Sequence, residues 1–220
     1  IIQTETGLAT QDIIATTVRG RFVSGTASVS AFNAGVAYDE TCAECAAKPT
    51  VNGKIRINQK GNGEAIGISS ANSAANVMLY YWDTDKQATI SGQITVYNGG
   101  NGSAYGMKAA DWATSVLLPP VEFKNSTLQS TLTSKIILRN TKLGTATGIY
   151  AANAANTGGV RNGKTITSSI SITNSKSGTM VGMNATKTAL NSGTITLTGA
   201  ASTGLAYGIK VGPKATVTNS

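Results

Sequence analysis

Histidine is absent from this 220-residue sequence, and cysteine occurs only twice. Without histidine the chain has no Ser-His-Asp or Cys-His catalytic set. Without a second cysteine pair it has no four-ligand zinc site. We therefore predict no catalytic residue, no metal site and no enzymatic activity from the chemistry that these residues supply.

Aromatic residues make up 5% of the sequence and charged residues 13%. Such a composition is compatible with disorder, but 40% of the residues are apolar and they recur in short alternating runs. That pattern favours β-strands joined by turns. No apolar run is long enough for a membrane-spanning helix. The start, IIQTETGLATQ, lacks an initiator methionine and a signal core, so we expect Ile1 to be an internal position of a longer precursor.

The charge is distributed unevenly along the chain. Residues 1–122 hold all ten acids against eight Lys and Arg, a net charge of −2. Residues 123–220 hold eight Lys, two Arg and no acid, a net charge of +10. This asymmetry indicates either an anionic partner (a polysaccharide, lipopolysaccharide, glycosaminoglycan or nucleic acid) or a solvated surface that keeps a β-rich protein soluble.

Five copies of a short apolar motif indicate an internal repeat. Each copy is an isoleucine anchor followed two residues later by another aliphatic residue, a period typical of a strand with one buried face. The pairs are Ile55 and Ile57, Ile94 and Val96, Ile136 and Leu138, Ile170 and Ile172, and Ile195 and Leu197.

Two further positions keep register with the anchors. A glycine followed by Ile or Met lies 12 residues after each of the first four anchors and 13 after the fifth; these glycines are Gly67, Gly106, Gly148, Gly182 and Gly208. Upstream, an aliphatic residue lies four residues before the first four anchors, at Val51, Ile90, Leu132 and Ile166, and Leu190 lies one place further back.

The repeat predicts a solenoid of short strands whose stacked coils bury a continuous core. Asn-Gly steps such as Asn62-Gly63 are expected to supply positive φ at its turns. The constant glycine marks a place where a Cβ does not fit, through either backbone strain or close packing.

The anchors are 39, 42, 34 and 25 residues apart, so a bare coil takes about 25 residues and the earlier coils carry insertions. We assign to insertions YYWDTD near Trp82, ADWATSVLLPPVEFKNS around Trp112, and AANAANTGGVRNGKT after Tyr150. They either form functional loops or cover the flank of the solenoid. We predict irregular rungs or a cap over residues 1–50 and β-helix repeats over 51–220.

The repeat phrases NSGTITLTGAASTGLAYGIKV and ATVTNS resemble the passenger region of bacterial autotransporters, the type V secreted surface proteins. The resemblance covers roughly residues 50–220 and implies an all-β, right-handed parallel β-helix displayed at the outer membrane or secreted. It also implies an adhesin or self-aggregation factor whose partners are glycans or proteins of host or bacterial surfaces. The final phrase stops within a repeat, so we expect it to be truncated there.

Cys42 and Cys45 lie in TCAECAAK. In an exported protein of this kind we favour a disulfide that closes a small loop, contributing about 2 kcal/mol by loop entropy. A thioredoxin-like redox pair would need a βαβ setting, which the pattern lacks.

As candidate binding residues we select aromatic and acidic residues of the insertions and lysines of the carboxyl half. The rings offer stacking surfaces for glycans, although such rings more often pack over a coil. The residues are Trp82, Asp83, Asp85, Trp112, Lys176, Lys187, Lys210 and Lys214.

The string GGVRNGKT, Gly158 to Thr165, matches the phosphate-loop pattern letter for letter. A phosphate loop needs a strand before it and a helix after it, but a strand pattern, ITSSISIT, follows. We therefore expect no ATP or GTP binding at this string. For the chain as a whole we predict no cofactor and no specific nucleic-acid partner.

Two alternatives to an adhesin stay open. The chain could be a structural stalk for a functional domain elsewhere in the precursor. It could also be a polysaccharide-active β-helix enzyme, with Asp83 and Asp85 as the candidate carboxylates.

Overall fold

The computed structural model describes eleven stretches of the chain, and all secondary structure in them is β. The described residues are 2–4, 8–9, 17–19, 29–34, 50–51, 54–59, 62–78, 89–117, 130–161, 164–199 and 204–220. The strands are β1 Ile2–Thr4, β2 Leu8–Ala9, β3 Thr17–Arg19, β4 Val29–Ala34, β5 Thr50–Val51, β6 Lys54–Gln59, β7 Ala65–Ser70, β8 Ala74–Met78, β9 Thr89–Asn98, β10 Ala104–Ala109, β11 Trp112–Leu117, β12 Ser130–Asn140, β13 Ala146–Asn156, β14 Gly159–Arg161, β15 Lys164–Asn174, β16 Met180–Asn191, β17 Thr194–Gly199, β18 Ala206–Val211 and β19 Thr216–Asn219.

Within the described stretches these strands form two parallel sheets through which the chain passes in turn. Sheet I contains β3, β6, β9, β12, β15 and β17, with β14 added antiparallel to β15. Sheet II has two leaves. The first leaf contains β1, β4, β7, β10 and β18, and the second contains β2, β5, β8, β11 and β19. The long strands β13 and β16 run through both leaves. This alternation is that of a parallel β-helix solenoid, as the repeat predicted.

The repeat register read from the sequence is the hydrogen-bonding register of sheet I. Ile94 pairs with Ile55 on one side and with Ile136 on the other. Ile170 then pairs with Ile136 and Ile195. In the first leaf of sheet II the residues after the constant glycines are paired in the same way, from Ile68 through Met107, Ile149 and Met183 to Ile209. The predicted alignment of the five copies is therefore confirmed at these two positions.

The interior is filled by stacked aliphatic side chains. The anchors Ile55, Ile94, Ile136 and Ile170 are 0–1% exposed and belong to one buried cluster with the methionines and alanines of sheet II. A second buried cluster lies where the second leaf meets the start of sheet I, and its members are Val77, Val116, Leu132 and Ile166. No helix among the described residues could span a membrane.

Close packing explains the constant glycine. A Cβ at Gly106 would overlap both Cγ2 of Ile136 and the carbonyl oxygen of Gly148, and Gly67, Gly148 and Gly182 are confined in the same way. The only positive-φ residues among the described ones are Gly159 and Lys214. The expectation that Asn62-Gly63, Asn98-Gly99 and Asn101-Gly102 supply positive φ is therefore wrong.

Buried asparagines close the turns between sheet I and the first leaf instead. Asn98, Asn140 and Asn174 occupy one register position at the ends of β9, β12 and β15. Each donates Nδ2–H to the carbonyl oxygen four residues on, at 2.6 Å for Asn98 and 2.7 Å for Asn174. Their Oδ1 atoms accept backbone N–H groups two residues on. The side chain thus satisfies backbone groups that the turn would otherwise leave unpaired.

A second asparagine column lies at the end of the second leaf. Asn156 donates to Oδ1 of Asn191 at 2.8 Å, and Asn191 donates to Oδ1 of Asn219 at 2.7 Å. Asn156 also accepts the hydroxyl of Ser168 at 2.6 Å. These bonds join successive coils through side chains, in addition to the backbone ladder.

The predicted alignments of Val51 and Leu190 are wrong because both residues lie in the second leaf of sheet II rather than in sheet I. Val51 pairs with Ala9 in sheet II, and Leu190 pairs with Ala155 and Thr218 in the second leaf. Neither residue belongs to sheet I with Leu132 and Ile166. Both are aliphatic and lie close to an anchor in sequence, so a one-dimensional alignment does not distinguish the two faces.

Parts of two predicted insertions also belong to the coil. Trp112–Leu117 is β11, and Asn153–Asn156 is the last part of β13; both pair within the second leaf. The segment around Trp82 lies outside the described residues. The boundary at residue 50 stays a prediction, although strands β1 to β5 pair with β4, β5, β6, β7 and β8 in the same two sheets.

Candidate binding surface

The outer face of sheet I presents every second residue of its strands to solvent. On β12 the inward residues Leu132, Ile136 and Leu138 are fully buried. Lys135, immediately before Ile136, and Arg139, immediately after Leu138, point outward and are exposed. Because the strands are parallel and in register, outward residues of successive coils form columns with a spacing of about 4.8 Å. The chemistry of this face is therefore set by which residue each coil places in each column.

Five outward residues of β6, β9 and β12 form what we call the Tyr97 cluster: Lys54, Arg56, Tyr97, Lys135 and Arg139. Tyr97 pairs directly with Arg139, and Gln93 pairs with both Lys54 and Lys135. The guanidinium carbon of Arg56 lies 4.8 Å from the centroid of the Tyr97 ring, and that of Arg139 lies 5.6 Å from it. Both distances are within cation–π range.

The Tyr97 cluster is cationic, and the strands of sheet I carry no acid to balance it. None of the residues of β6, β9, β12, β15 and β17 is Asp or Glu. All four cationic side chains of the cluster are exposed. Toward the last coils the same face changes to hydroxyls, as in Thr165, Thr167, Thr173 and Thr196. Positive charge is thus concentrated at one end of a flat polar face.

A second cation–aromatic group lies on the outer face of the first leaf, and it is internally neutralised. Lys108 Nζ lies 2.9 Å and 2.8 Å from the two carboxylate oxygens of Glu64. The same Nζ lies 4.9 Å from the centroid of the Tyr105 ring, which packs edge-on against Tyr150 at 5.9 Å. This group ties neighbouring coils together on the surface.

The environment of Lys108 acts on its pKa in two directions. Partial burial disfavours the charged ammonium and lowers the pKa, whereas the hydrogen bond and negative charge of Glu64 raise it. The net effect is a pKa above the ordinary lysine value of 10.5. Because Glu64 already neutralises Lys108, this group is a weaker anion site than the Tyr97 cluster.

The predicted binding residues do not converge on one site. Trp82, Asp83 and Asp85 lie outside the described residues, as do Cys42 and Cys45. Trp112 is half-buried on β11, and Lys210 lies on β18 with Nζ 5.6 Å from the centroid of the Tyr207 ring.

The other three predicted lysines lie at two different corners of the solenoid. Lys176 follows β15 at the corner between sheet I and the first leaf, where its backbone N–H binds Asn174. Lys187, within β16, and Lys214, at a turn with φ of 65°, lie at the corner between the two leaves. All three are exposed. They form a dispersed basic surface rather than a pocket.

The phosphate-loop string forms part of a β-hairpin. Gly159–Arg161 pairs antiparallel with Lys164–Ile166, and the strand that follows continues to Asn174, as its pattern predicted. Gly159 has a φ of 96°, and Lys164 is 2% exposed. A phosphate loop would place a helix amino terminus after the lysine. Here that position is occupied by a strand of the coil.

The Tyr97 cluster was not among the residues selected from the sequence, although its signal was present. The motifs KIRI and KIIL place a lysine immediately before each anchor, and Tyr97 and Arg139 each lie three residues after one. Once the anchors are aligned, period two directs all these residues outward.

The fold and surface define a mostly-β protein built of stacked parallel sheets, with described groups of cations and aromatic rings on its outer faces. Compared with protein-family models, with curated proteins and with solved structures, the chain shows no match.

Proposed function

We propose that this chain is a surface-displayed adhesion module, part of an autotransporter-type passenger, that binds through the outer faces of its coils. In this proposal it acts at the bacterial cell surface as an adhesin or aggregation factor and performs no chemistry itself. Its partners are glycans or proteins on host or bacterial surfaces. The repeat phrases that resemble autotransporter passengers supply the proposed location.

The observation that carries the proposal is a difference in side-chain chemistry between the interior of the coils and their outer faces. The described interior consists of aliphatic stacks and asparagine columns, whose role is structural. The exposed cations and the rings lie on long, regular outer faces. Such faces suit weak contacts repeated along an extended partner.

The test is to display residues 1–220 on a non-adherent bacterial strain and to measure clumping and attachment to cultured cells. We expect both to rise above the level of cells that display the same export scaffold without residues 51–220. Surface staining with an antibody to a tag on the scaffold checks that display levels are equal. The adhesin proposal is wrong if display causes neither clumping nor attachment, and the stalk alternative would then be favoured.

The enzymatic alternative has its own outcome. Release of reducing ends from a glycan panel by the purified chain, lost in the Asp83→Ala variant, would replace the adhesin proposal with a polysaccharide-active enzyme.

A further inference from the structure

We infer that the Tyr97 cluster on sheet I is a binding site for an acidic polysaccharide, one that carries carboxylate or sulfate groups. This inference deepens the adhesion function proposed above and rests on it. It concerns Lys54, Arg56, Tyr97, Lys135 and Arg139.

The first argument is charge. Four exposed cations lie on β6 and β12, the two strands that flank β9, and no strand of sheet I carries an acid. By contrast, Lys108 on the first leaf has Glu64 at 2.8 Å. Cations held close together without counter-charges on their own sheet repel one another, and an anion relieves that repulsion.

The second argument is orientation. The guanidinium groups of Arg56 and Arg139 come from the strands on either side of β9, and each lies within 6 Å of the centroid of the Tyr97 ring. Contact with the ring restricts two long side chains that would otherwise sample many rotamers, so less entropy is lost on binding. Guanidinium groups also present paired N–H donors that match carboxylate and sulfate oxygens.

The third argument is spacing. Lys54 and Lys135 both pair with Gln93 from opposite sides, so their Cα atoms are two strand spacings apart, about 10 Å. Between them Gln93 donates Nε2–H to the Thr95 hydroxyl at 3.1 Å. The site therefore combines separated charges with the half-buried amide of Gln93, which can hydrogen-bond to the hydroxyls of a sugar chain.

The same observations favour a polysaccharide over a nucleic acid. Proteins that bind single strands use several aromatic rings on which successive bases stack. The described strands of sheet I carry one ring, that of Tyr97, and it already contacts two guanidinium groups. The rest of the face offers hydroxyls and amides, which suit sugars.

The experiment measures binding of the full 220-residue chain to heparin, polygalacturonate, neutral dextran and single-stranded DNA by biolayer interferometry. We expect binding to one or both acidic polysaccharides that weakens as salt rises, and none to dextran. Binding to both acids indicates recognition of charge in general, and binding to one identifies sulfate or carboxylate as the group recognised.

The decisive variant is Arg56→Gln with Arg139→Gln, and its matched control is Lys187→Gln with Lys214→Gln, at the corner between the two leaves. Each removes two exposed cations, so the change in net charge is the same. We expect at least a tenfold weaker affinity for the first variant and less than a twofold change for the second. Circular dichroism confirms that both variants are folded.

Tyr97→Leu keeps every charge. We expect roughly a threefold loss of affinity for the polysaccharide, because the two arginines lose the ring that restricts them.

Several results would overturn the inference: no binding to either acidic polysaccharide, equal losses in the two double variants, or tighter binding to DNA than to both polysaccharides. The display assay separates this inference from the proposed function. If displayed Arg56→Gln, Arg139→Gln cells adhere as well as the parent, the adhesion function stands and this site is wrong. If the purified chain binds the polysaccharide but displayed cells do not adhere, the adhesion function is wrong.

Discussion

At the scale of single residues, the glycine before each Ile or Met of the first leaf shows how the stacked coils restrict one repeat position. Gly106 lies against Ile136 of sheet I and against the carbonyl of Gly148 in the next coil, and a methyl group would overlap both. The equivalent Gly208 of the last coil has no atom within 4 Å of the place where its Cβ would lie. One repeat position thus occurs in two environments.

We predict that Gly106→Ala lowers the free energy of unfolding by about 1–3 kcal/mol, the usual range for overpacking a filled core. Gly208→Ala is the matched control. Because its methyl group meets open space, it should change stability by less than about 0.5 kcal/mol. Urea unfolding followed by circular dichroism measures both. Equal losses in the two variants would mean that backbone conformation, rather than packing, requires the glycine.

The buried asparagines show what residue-level pattern reading misses. The Asn-Gly step at Asn98 predicts a positive-φ turn, yet Asn98 acts through its side-chain amide, as does Asn140, which is followed by threonine. An Asn-Gly step is compatible with a positive-φ turn and with a turn closed by the asparagine side chain. Which one forms depends on whether that side chain faces the turn or the solvent. A partner four residues along the chain, closed by the turn itself, decides this.

At the scale of elements, the Glu64–Lys108 pair links the turn before β7 to β10 in the next coil. Its side chains are 34% and 36% exposed, so solvent screens the pair and its contribution is on the order of 1 kcal/mol or less. The raised pKa of Lys108 fixes the direction of its pH dependence. A cation held more tightly in the folded state stabilises the fold while it is protonated.

We predict that the stability difference between the wild-type chain and Lys108→Gln is greatest below the ordinary lysine pKa of 10.5 and shrinks as pH rises through the pKa of the folded state. Paired urea titrations of both proteins at a series of pH values from about 8 upward measure this difference, so that other titrating groups cancel. A difference that grows with pH would show that burial, rather than Glu64, dominates at this lysine. High salt should shrink it at every pH.

The sequence located the strands of sheet I and of the first leaf better than it located the strands of the second leaf. The period-two anchors located sheet I and the first leaf, because each carries large aliphatic residues at fixed spacing. The second leaf is filled by small residues, such as Ala113, Ala154 and Ala189, which carry little periodic signal. For that reason the sequence predicts an insertion around Trp112, where the structure has strand β11.

At the scale of the whole molecule, each coil contacts mainly its neighbours, as in other solenoids. The last coil therefore has a stacked partner on one side only within this chain. Its apolar residues show the consequence: Leu205 is 58% exposed and Val217 45%, whereas Ile170 one coil earlier is fully buried. Stability should thus decrease toward this coil.

We predict that backbone amides of β17, β18 and β19 exchange with deuterium at least about tenfold faster than those of β12 and β15, because opening the last coil breaks one interface instead of two. Hydrogen exchange followed by mass spectrometry of peptides from each coil tests this. Uniform exchange across all five strands would indicate a single cooperative unit rather than a stack that opens from its end.

The sequence alone determined the all-β class, the coil repeat and the register of its aliphatic ladders, because burial requires large apolar residues at strict period two and a stack repeats that requirement. The anchor alignment also places Tyr97 beside Arg139, 42 residues further on and adjacent in sheet I. Only the tertiary structure decided which outward side chains make contact. The guanidinium groups of Arg56 and Arg139 both lie over the Tyr97 ring, and no local sequence pattern encodes the side-chain conformations that bring them there.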